Sequence, residues 1–142
     1  RFEHVATVGG VRFVDDSKAT NVGALDKALA TLDSPAVLIL GGKDKGGDFS
    51  EVVSRHKDRV RKALVIGEAT DRIVSELKGI VTCEPARDME EAVDLAYREA
   101  VPGDTVLLSP GCASFDMFTS YAHRGEVFQA CVRGIEQRES SK

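Results

Sequence analysis

The chain has 142 residues, 42% of them hydrophobic, which suits one domain with a single substantial core. Its formal charge of -4, from 23 acidic and 19 basic residues, is too balanced for a nucleic-acid footprint or for attraction to an anionic bilayer, so any anionic ligand must be held by a local site. Three widely spaced cysteines, Cys83, Cys112 and Cys131, form no Cys-x-x-Cys pair and have no histidine at ligand spacing, which argues against both a disulfide framework and a zinc site.

No apolar run approaches the roughly 18 residues that span a bilayer, and Arg1-Phe2-Glu3-His4 carries no signal-peptide pattern, so a soluble cytoplasmic protein is expected. The chain begins at Arg1, without Met and directly in a strand-like pattern, which suggests a piece of a longer polypeptide. From Glu3 to Val14 the residues alternate weakly around Gly9-Gly10, a two-residue signal for a hairpin turn that needs positive φ, and two short strands are expected. Val22, Leu25, Ala28, Leu29 and Leu32 then recur at helical spacing until Ser34-Pro35 stops the run. Val37-Leu38-Ile39-Leu40 is continuously apolar and too short for a helix, as in a parallel strand covered on both faces. Asp48-Phe49-Ser50-Glu51 reads as a capping box before a second helix, followed by a strand at Ala63 to Ile66.

Ile73, Val74 and Leu77 mark a third helix, and Ile80 to Cys83 is predicted as a strand. Asp88-Met89-Glu90-Glu91 caps a helix reaching about Ala100, Pro102-Gly103-Asp104 turns the chain, and Thr105 to Leu108 is the last strand. Phe115 onward is predicted helical to about Gln137; residues 1–137 are read as the domain and residues 138–142 as a frayed tail. Strand and helix alternating in this way predict an α/β, Rossmann-like fold with a mainly parallel sheet flanked by helices and an N-terminal β-hairpin.

In such a sheet the loops leaving the carboxyl ends of the strands emerge on one edge, where ligands bind. Three of those loops are rich in glycine and polar side chains: Asp15 to Asn21, Gly41 to Asp48, and Ser109 to Ser114. Each is expected to run from a strand into a helix, so lysines, hydroxyls and helix amino termini should converge on an anion-favouring cleft suited to a carboxylate or phosphate. The second loop is not a phosphate-binding signature by itself. Gly-x-x-x-x-Gly-Lys-Ser/Thr would need lysine at Gly47 or Asp48, and Gly-x-Gly-x-x-Gly would need glycine at Lys43 or Asp44. A self-sufficient ATP or dinucleotide site is therefore not expected.

Taken together, Asp16-Ser17-Lys18-Ala19-Thr20-Asn21, Gly41-Gly42 with Lys45 and Asp48-Phe49, and Leu108-Ser109-Pro110 with Cys112-Ala113-Ser114-Phe115-Asp116 resemble the carboxy-terminal domain of the Mur ligase family, in its D-glutamate-adding branch. The similarity runs in order from about Arg1 to Arg133, and the Cys-Ala-Ser-Phe-Asp stretch is its more discriminating part. The resemblance implies an ATP-dependent, Mg2+-requiring ligase of peptidoglycan synthesis that joins D-glutamate to UDP-N-acetylmuramoyl-L-alanine through an acyl phosphate. It further implies that ATP, Mg2+ and the UDP-sugar are held mainly by domains not in this chain, and that this domain carries the amino acid and closes over the ATP site.

By the same resemblance, Thr20 and Lys45 hold the α-carboxylate of D-glutamate, Ser114 and the Phe115 backbone hold its side-chain carboxylate, and Tyr121 closes the pocket. Arg1 and Asp16 reach the nucleotide, and Lys18 faces the transferring phosphate. Two positions depart from the family pattern: Tyr121 stands where phenylalanine is expected and Gly111 where alanine is usual. The isolated domain is then expected to be a folded monomer that neither hydrolyses ATP nor ligates.

Each residue also has a plainer reading. Lys45 could be a solvated loop lysine, Ser114 or Asp16 a helix or turn cap, and Arg1 a disordered terminus. Cys112 reads as a small buried residue, His4, His56 and His123 as structural or exposed, and Phe118, Val127 and Phe128 as helix packing. Two other functions stay open from sequence: a folylpolyglutamate synthetase-like ligase, against which Cys-Ala-Ser-Phe-Asp argues, and a non-catalytic small-molecule binding module.

Overall fold

Glu3–Val8 (β1) and Val11–Asp15 (β2) pair antiparallel with Val8 opposite Val11, and Gly9 and Gly10 close the turn at φ 57° and 80°, a region L-residues with side chains avoid. In this computed structural model, which describes residues 2–142, the hairpin leads into Val22–Thr31 (α1), Ala36–Gly41 (β3), Phe49–Arg55 (α2), Val60–Ile66 (β4) and Thr70–Leu77 (α3). Cys83–Pro85 (β5), Met89–Glu99 (α4), Thr105–Leu108 (β6) and Tyr121–Ser140 (α5) follow. Helices α1, α2, α4 and α5 start where a short polar side chain satisfies an orphan amide: Asn21, Asp48, Asp88 and Ser120 accept from Ala24, Glu51, Glu91 and His123.

The six strands lie in the order β1-β2-β6-β3-β4-β5, and all neighbours but the hairpin pair are parallel. Alternation along β3 shows why its sequence is apolar throughout. Leu38 and Leu40 point into a core shared with Leu25 and Leu29 of α1, Val52 and Val53 of α2 and Ile73 of α3, while Val37 and Ile39 point into a second core with Val93 of α4 and Phe128 of α5. Helices α1 to α3 therefore cover one face of the sheet, and α4 and α5 the other. Among the described residues no helix is long and apolar enough to cross a membrane.

Three predicted boundaries are corrected. Helix α5 begins at Tyr121, capped by Ser120, rather than at Phe115; Phe115 and Met117 are exposed and of the three apolar side chains there Phe118 alone packs on the second core, too little buried face to hold the stretch helical. At its other end α5 runs on through Ser140, past the end expected near Gln137. Arg138 pairs with Asp94 at 2.9 Å and Glu139 accepts from the Tyr97 hydroxyl at 3.1 Å, polar ties to α4 that apolar periodicity does not register. The strand expected at Ile80 to Cys83 lies at Cys83–Pro85, because the Ile80 and Val81 amides close a turn on the Leu77 carbonyl.

At the opposite end of the sheet from the three loops, the almost fully buried Asp104 precedes β6. Its carboxylate takes both nitrogens of the Arg61 fork, at 2.6 and 3.1 Å, and the Val101 amide at 3.0 Å. Burial pushes its pKa up, but the Arg61 guanidinium and the Val101 amide outweigh burial and leave it below 3.8. A carboxyl depressed in the fold stabilises above its unfolded pKa and loses that contribution as pH falls through the folded value. Asp104→Asn is therefore expected to lower the Tm by a few degrees at pH 7, with the gap to the parent closing as pH falls below about 4. Thermal melts of both proteins from pH 7 to pH 2.5 check this; a gap that persists unchanged at low pH would contradict it.

Candidate functional site

Strand β6 enters the sheet between β2 and β3, so the chain leaves β2 and β3 for helices on one face and leaves β6 for α5 on the other. The crevice outside the carboxyl ends of parallel strands at such a reversal is where open α/β sheets bind ligands. The loops after β2, β3 and β6 all emerge there, and they are bonded to one another. The Gly111 amide donates to the Ala19 carbonyl at 2.9 Å, the Lys43 amide to Ala113 at 2.9 Å, and the Gly41 amide to Pro110 at 3.0 Å.

Arg124, in the first turn of α5, ties two of these loops together from beneath. It is 1% exposed; its Nε donates to the Ser17 hydroxyl at 3.0 Å, and its two terminal nitrogens donate to the Ser17 carbonyl at 2.7 Å and the Cys112 carbonyl at 2.9 Å. Burial lowers its pKa to about 10, still far above neutrality, so the fork remains charged and donates from all its nitrogens. The Ser17 hydroxyl in turn donates to the Tyr121 carbonyl at 2.7 Å. Close approach of α5 is possible because Gly125 has no side chain: a Cβ there would lie 2.6 Å from the Asp15 carboxylate.

The sequence-predicted residues sit on this edge in different settings. Asp16 is half-buried, and its carboxylate accepts from the Ser109 hydroxyl at 2.9 Å; burial raises its pKa, Ser109 opposes this, and the neighbouring Asp15 carboxylate adds to it. Lys18 is exposed and lines two shallow depressions. One, of about 460 Å³, also includes Phe2, Asp16 and Lys27; the other, of about 200 Å³, includes Ser17, Tyr121 and Gln129. Thr20 is partly exposed, and Lys45 is exposed and makes no ion pair among the described residues. Thr20, Lys45, Ser114 and Phe115 line neither of these two depressions. Arg1 lies outside the described residues.

Ser114 is 1% exposed and does not cap a helix, as the sequence suggested; its carbonyl closes a turn by accepting from the amides of Met117 and Phe118 at 3.3 and 2.9 Å. Its hydroxyl and the Phe115 amide make no hydrogen bond among the described residues, which leaves two donors side by side at the loop. Gly111 adopts φ 70°, and a Cβ there would meet the Phe49 ring at 2.7 Å, so this chain's departure from alanine matches a backbone that alanine would strain. Cys112 is buried, and burial pushes its thiol up to about 11, in line with a packing residue and far from a nucleophile.

Sequence reasoning missed Arg124, although it left a signal. Arg124, Phe128, Val132 and Ile135 follow one another at helical spacing and all are buried, so the arginine stands on the apolar stripe of α5 where a charge needs a reason. It also missed Arg72, on α3, which grips the second loop. Among the described residues no group of three His, Cys, Asp or Glu side chains could hold a metal ion. A further depression, of about 670 Å³, is lined by α3, β5 and the turn between them, with none of the three loops.

The family model described as Mur ligase, glutamate ligase domain, matches residues 1–112. The UDP-N-acetylmuramoylalanine–D-glutamate ligase of Syntrophus aciditrophicus (strain SB) is 47% identical over 135 residues, 95% of this chain and 30% of that protein. The protein of the same name from Pelodictyon phaeoclathratiforme (strain DSM 5477 / BU-1) is 48% identical over 135 residues, 95% of this chain and 29% of its own length. The chain thus spans about 30% of the length of these relatives. Two solved structures share the fold: the UDP-N-acetylmuramate-alanine ligase MurC from Thermotoga maritima, with TM-score 0.66 and 13% identity over 100% of this chain and 30% of that one, and E. coli FolC in complex with ADP, with TM-score 0.63 and 24% identity over 92% of this chain and 31% of that one.

Proposed function

Because the chain belongs to the family of Mur ligase glutamate ligase domains, we propose that it is the amino-acid-binding C-terminal domain of an ATP-dependent UDP-N-acetylmuramoylalanine–D-glutamate ligase acting in peptidoglycan synthesis in the cytoplasm. The observation that carries this reading is the identity of 47% and 48% to ligases of that name over 95% of the chain. The 24% identity to FolC speaks only for the fold, so a folylpolyglutamate synthetase-like role is not favoured, nor is a non-catalytic binding module.

In the proposed reaction the carboxylate of UDP-N-acetylmuramoyl-L-alanine is activated as an acyl phosphate at the expense of ATP, and the amine of D-glutamate displaces the phosphate. ATP and Mg2+ would be held mainly by parts of the protein outside this chain, a division supported by the lack of a phosphate-binding signature in the Gly41–Asp48 segment. The task left to this domain is to hold and orient the nucleophile, which calls for carboxylate clamps. Thr20 and the unpaired, exposed Lys45 would hold the α-carboxylate. Ser114 and the Phe115 amide, two donors without hydrogen-bond partners among the described residues, would hold the second carboxylate, and Tyr121 would close over it. Lys18 would face the transferring phosphoryl group, and Asp16 and Arg1 the nucleotide.

Lys45→Ala in the full-length ligase tests the reading. Loss of a charge-assisted hydrogen bond worth about 1.5 to 3 kcal/mol should raise the KM for D-glutamate by roughly one to two powers of ten and leave the KM for ATP unchanged. The Tm of the domain should stay put, since an exposed loop lysine changes stability by no more than about 0.5 kcal/mol. An unaltered glutamate KM, or a weakened ATP KM with glutamate unaffected, would take Lys45 out of the carboxylate clamp.

A further inference from the structure

We infer that Arg72 is a positioning residue for D-glutamate, clamping the loop on both sides of Lys45 so that the lysine is held ready for the carboxylate; this rests on the proposed role of Lys45. The loop from Gly41 to Asp48 contains four glycines, whose backbone loses the most freedom on ordering. At its base Gly41 and Gly42 are buried, and Cβ atoms there would strike the Ile66 and Ala113 carbonyls at 2.0 and 2.3 Å, so the base is fixed by close packing. The tip is different: Lys43 to Gly46 are exposed, and a Cβ on Gly46 would meet nothing within 4 Å. Packing does not hold Lys45 in place.

Polar tethers from α3 and the chain just before it do so instead. The Arg72 Nε donates to both carboxylate oxygens of Asp44, at 3.0 and 2.8 Å, and Nη1 donates to the Gly47 carbonyl at 2.9 Å and to Glu76, gripping the chain before and after Lys45. The Asp44 amide donates to Glu68 at 3.0 Å, and the Gly46 amide to Asp44 at 2.9 Å. The guanidinium is itself seated, 5.9 Å above the Phe49 ring, whose amide donates to Glu76 at 2.9 Å. Lysine could not replace it, because one ammonium cannot span Asp44 and Gly47 with fixed geometry. Since the Arg72–Asp44 pair is partly exposed, it adds little to global stability; its effect is to raise the fraction of loops in the binding-competent shape, and apparent affinity scales with that fraction.

The experiment uses the full-length ligase with Arg72→Gln, Asp44→Asn and Lys45→Ala, each alone, and with Arg72→Gln combined with Lys45→Ala. Arg72→Gln and Asp44→Asn are expected to raise the KM for D-glutamate about five- to tenfold, with kcat and the KM for ATP within about twofold and unchanged melting. In the Lys45→Ala background, Arg72→Gln should add less than about twofold, because the lysine it positions is gone. If Lys45→Ala raises the glutamate KM while Arg72→Gln and Asp44→Asn leave it alone, or if the double variant shows the full product of both effects, the positioning role is wrong and the Lys45 reading stands. If Lys45→Ala itself leaves the glutamate KM unmoved, the carboxylate clamp fails and the role of Arg72 falls with it.

Discussion

D-Alanine is expected to be a very poor acceptor for the full-length ligase, with kcat/KM about three to four powers of ten below that of D-glutamate. D-Alanine keeps the amine and the α-carboxylate, so Thr20 and Lys45 would hold it as before. It lacks the second carboxylate, and the Ser114 hydroxyl and Phe115 amide would then be closed into the site without acceptors. A desolvated donor left unmade costs about 1 to 3 kcal/mol, and two of them, with the lost apolar contact, account for the ratio. The same logic predicts that Ser114→Ala narrows the ratio mainly by slowing D-glutamate. Steady-state kinetics with both amino acids decide the matter, and comparable efficiencies would remove Ser114 and Phe115 from the site.

Arg124→Ala should destabilise the domain by about 3 to 5 kcal/mol, since it leaves the Ser17 carbonyl and hydroxyl and the Cys112 carbonyl without their donor and opens a cavity at a fully buried position. For a chain of this size that corresponds to a fall in Tm of about 10 °C or more. Arg124→Lys keeps the charge but replaces a planar fork with one ammonium, and should fall between the two. Melting curves of the domain measure the effect directly. A Tm within about 2 °C of the parent for Arg124→Ala would mean that water or rearranged backbone satisfies those groups, and that Arg124 does not lock the loops.

Much of the fold was legible in the chain itself because it rests on local signals. Gly9-Gly10 forced the hairpin turn, Asp48 and Asp88 marked helix starts by accepting from Glu51 and Glu91, and the unbroken apolar run of β3 announced a strand covered on both faces. Where one local signal met a competing one, the boundaries slipped: Ile80 and Val81 look like strand but finish a turn on Leu77, and Phe115 to Phe118 look like helix but only Phe118 packs on the core while Phe115 and Met117 stay exposed. The loops that carry Asp16, Lys18, Thr20, Lys45 and Ser114 could be named from sequence because loops at the carboxyl ends of parallel strands share one edge.

What the sequence could not supply was the pairing of elements distant along the chain. Nothing local says that β6, last of the strands, inserts between β2 and β3, yet that insertion makes the reversal at which the three loops meet. Nor does local pattern assign a buried arginine its partners. Arg124 reaches back 107 residues to Ser17, and Arg72 reaches back 28 residues to Asp44, and both pairings exist only once helices pack on the sheet. Turn chemistry and hydrophobic period depend on neighbours a few residues away and can be read in order; hydrogen bonds that close long loops are selected by the whole packed structure, because only there does the gain from burial offset the entropy of bringing such distant residues together.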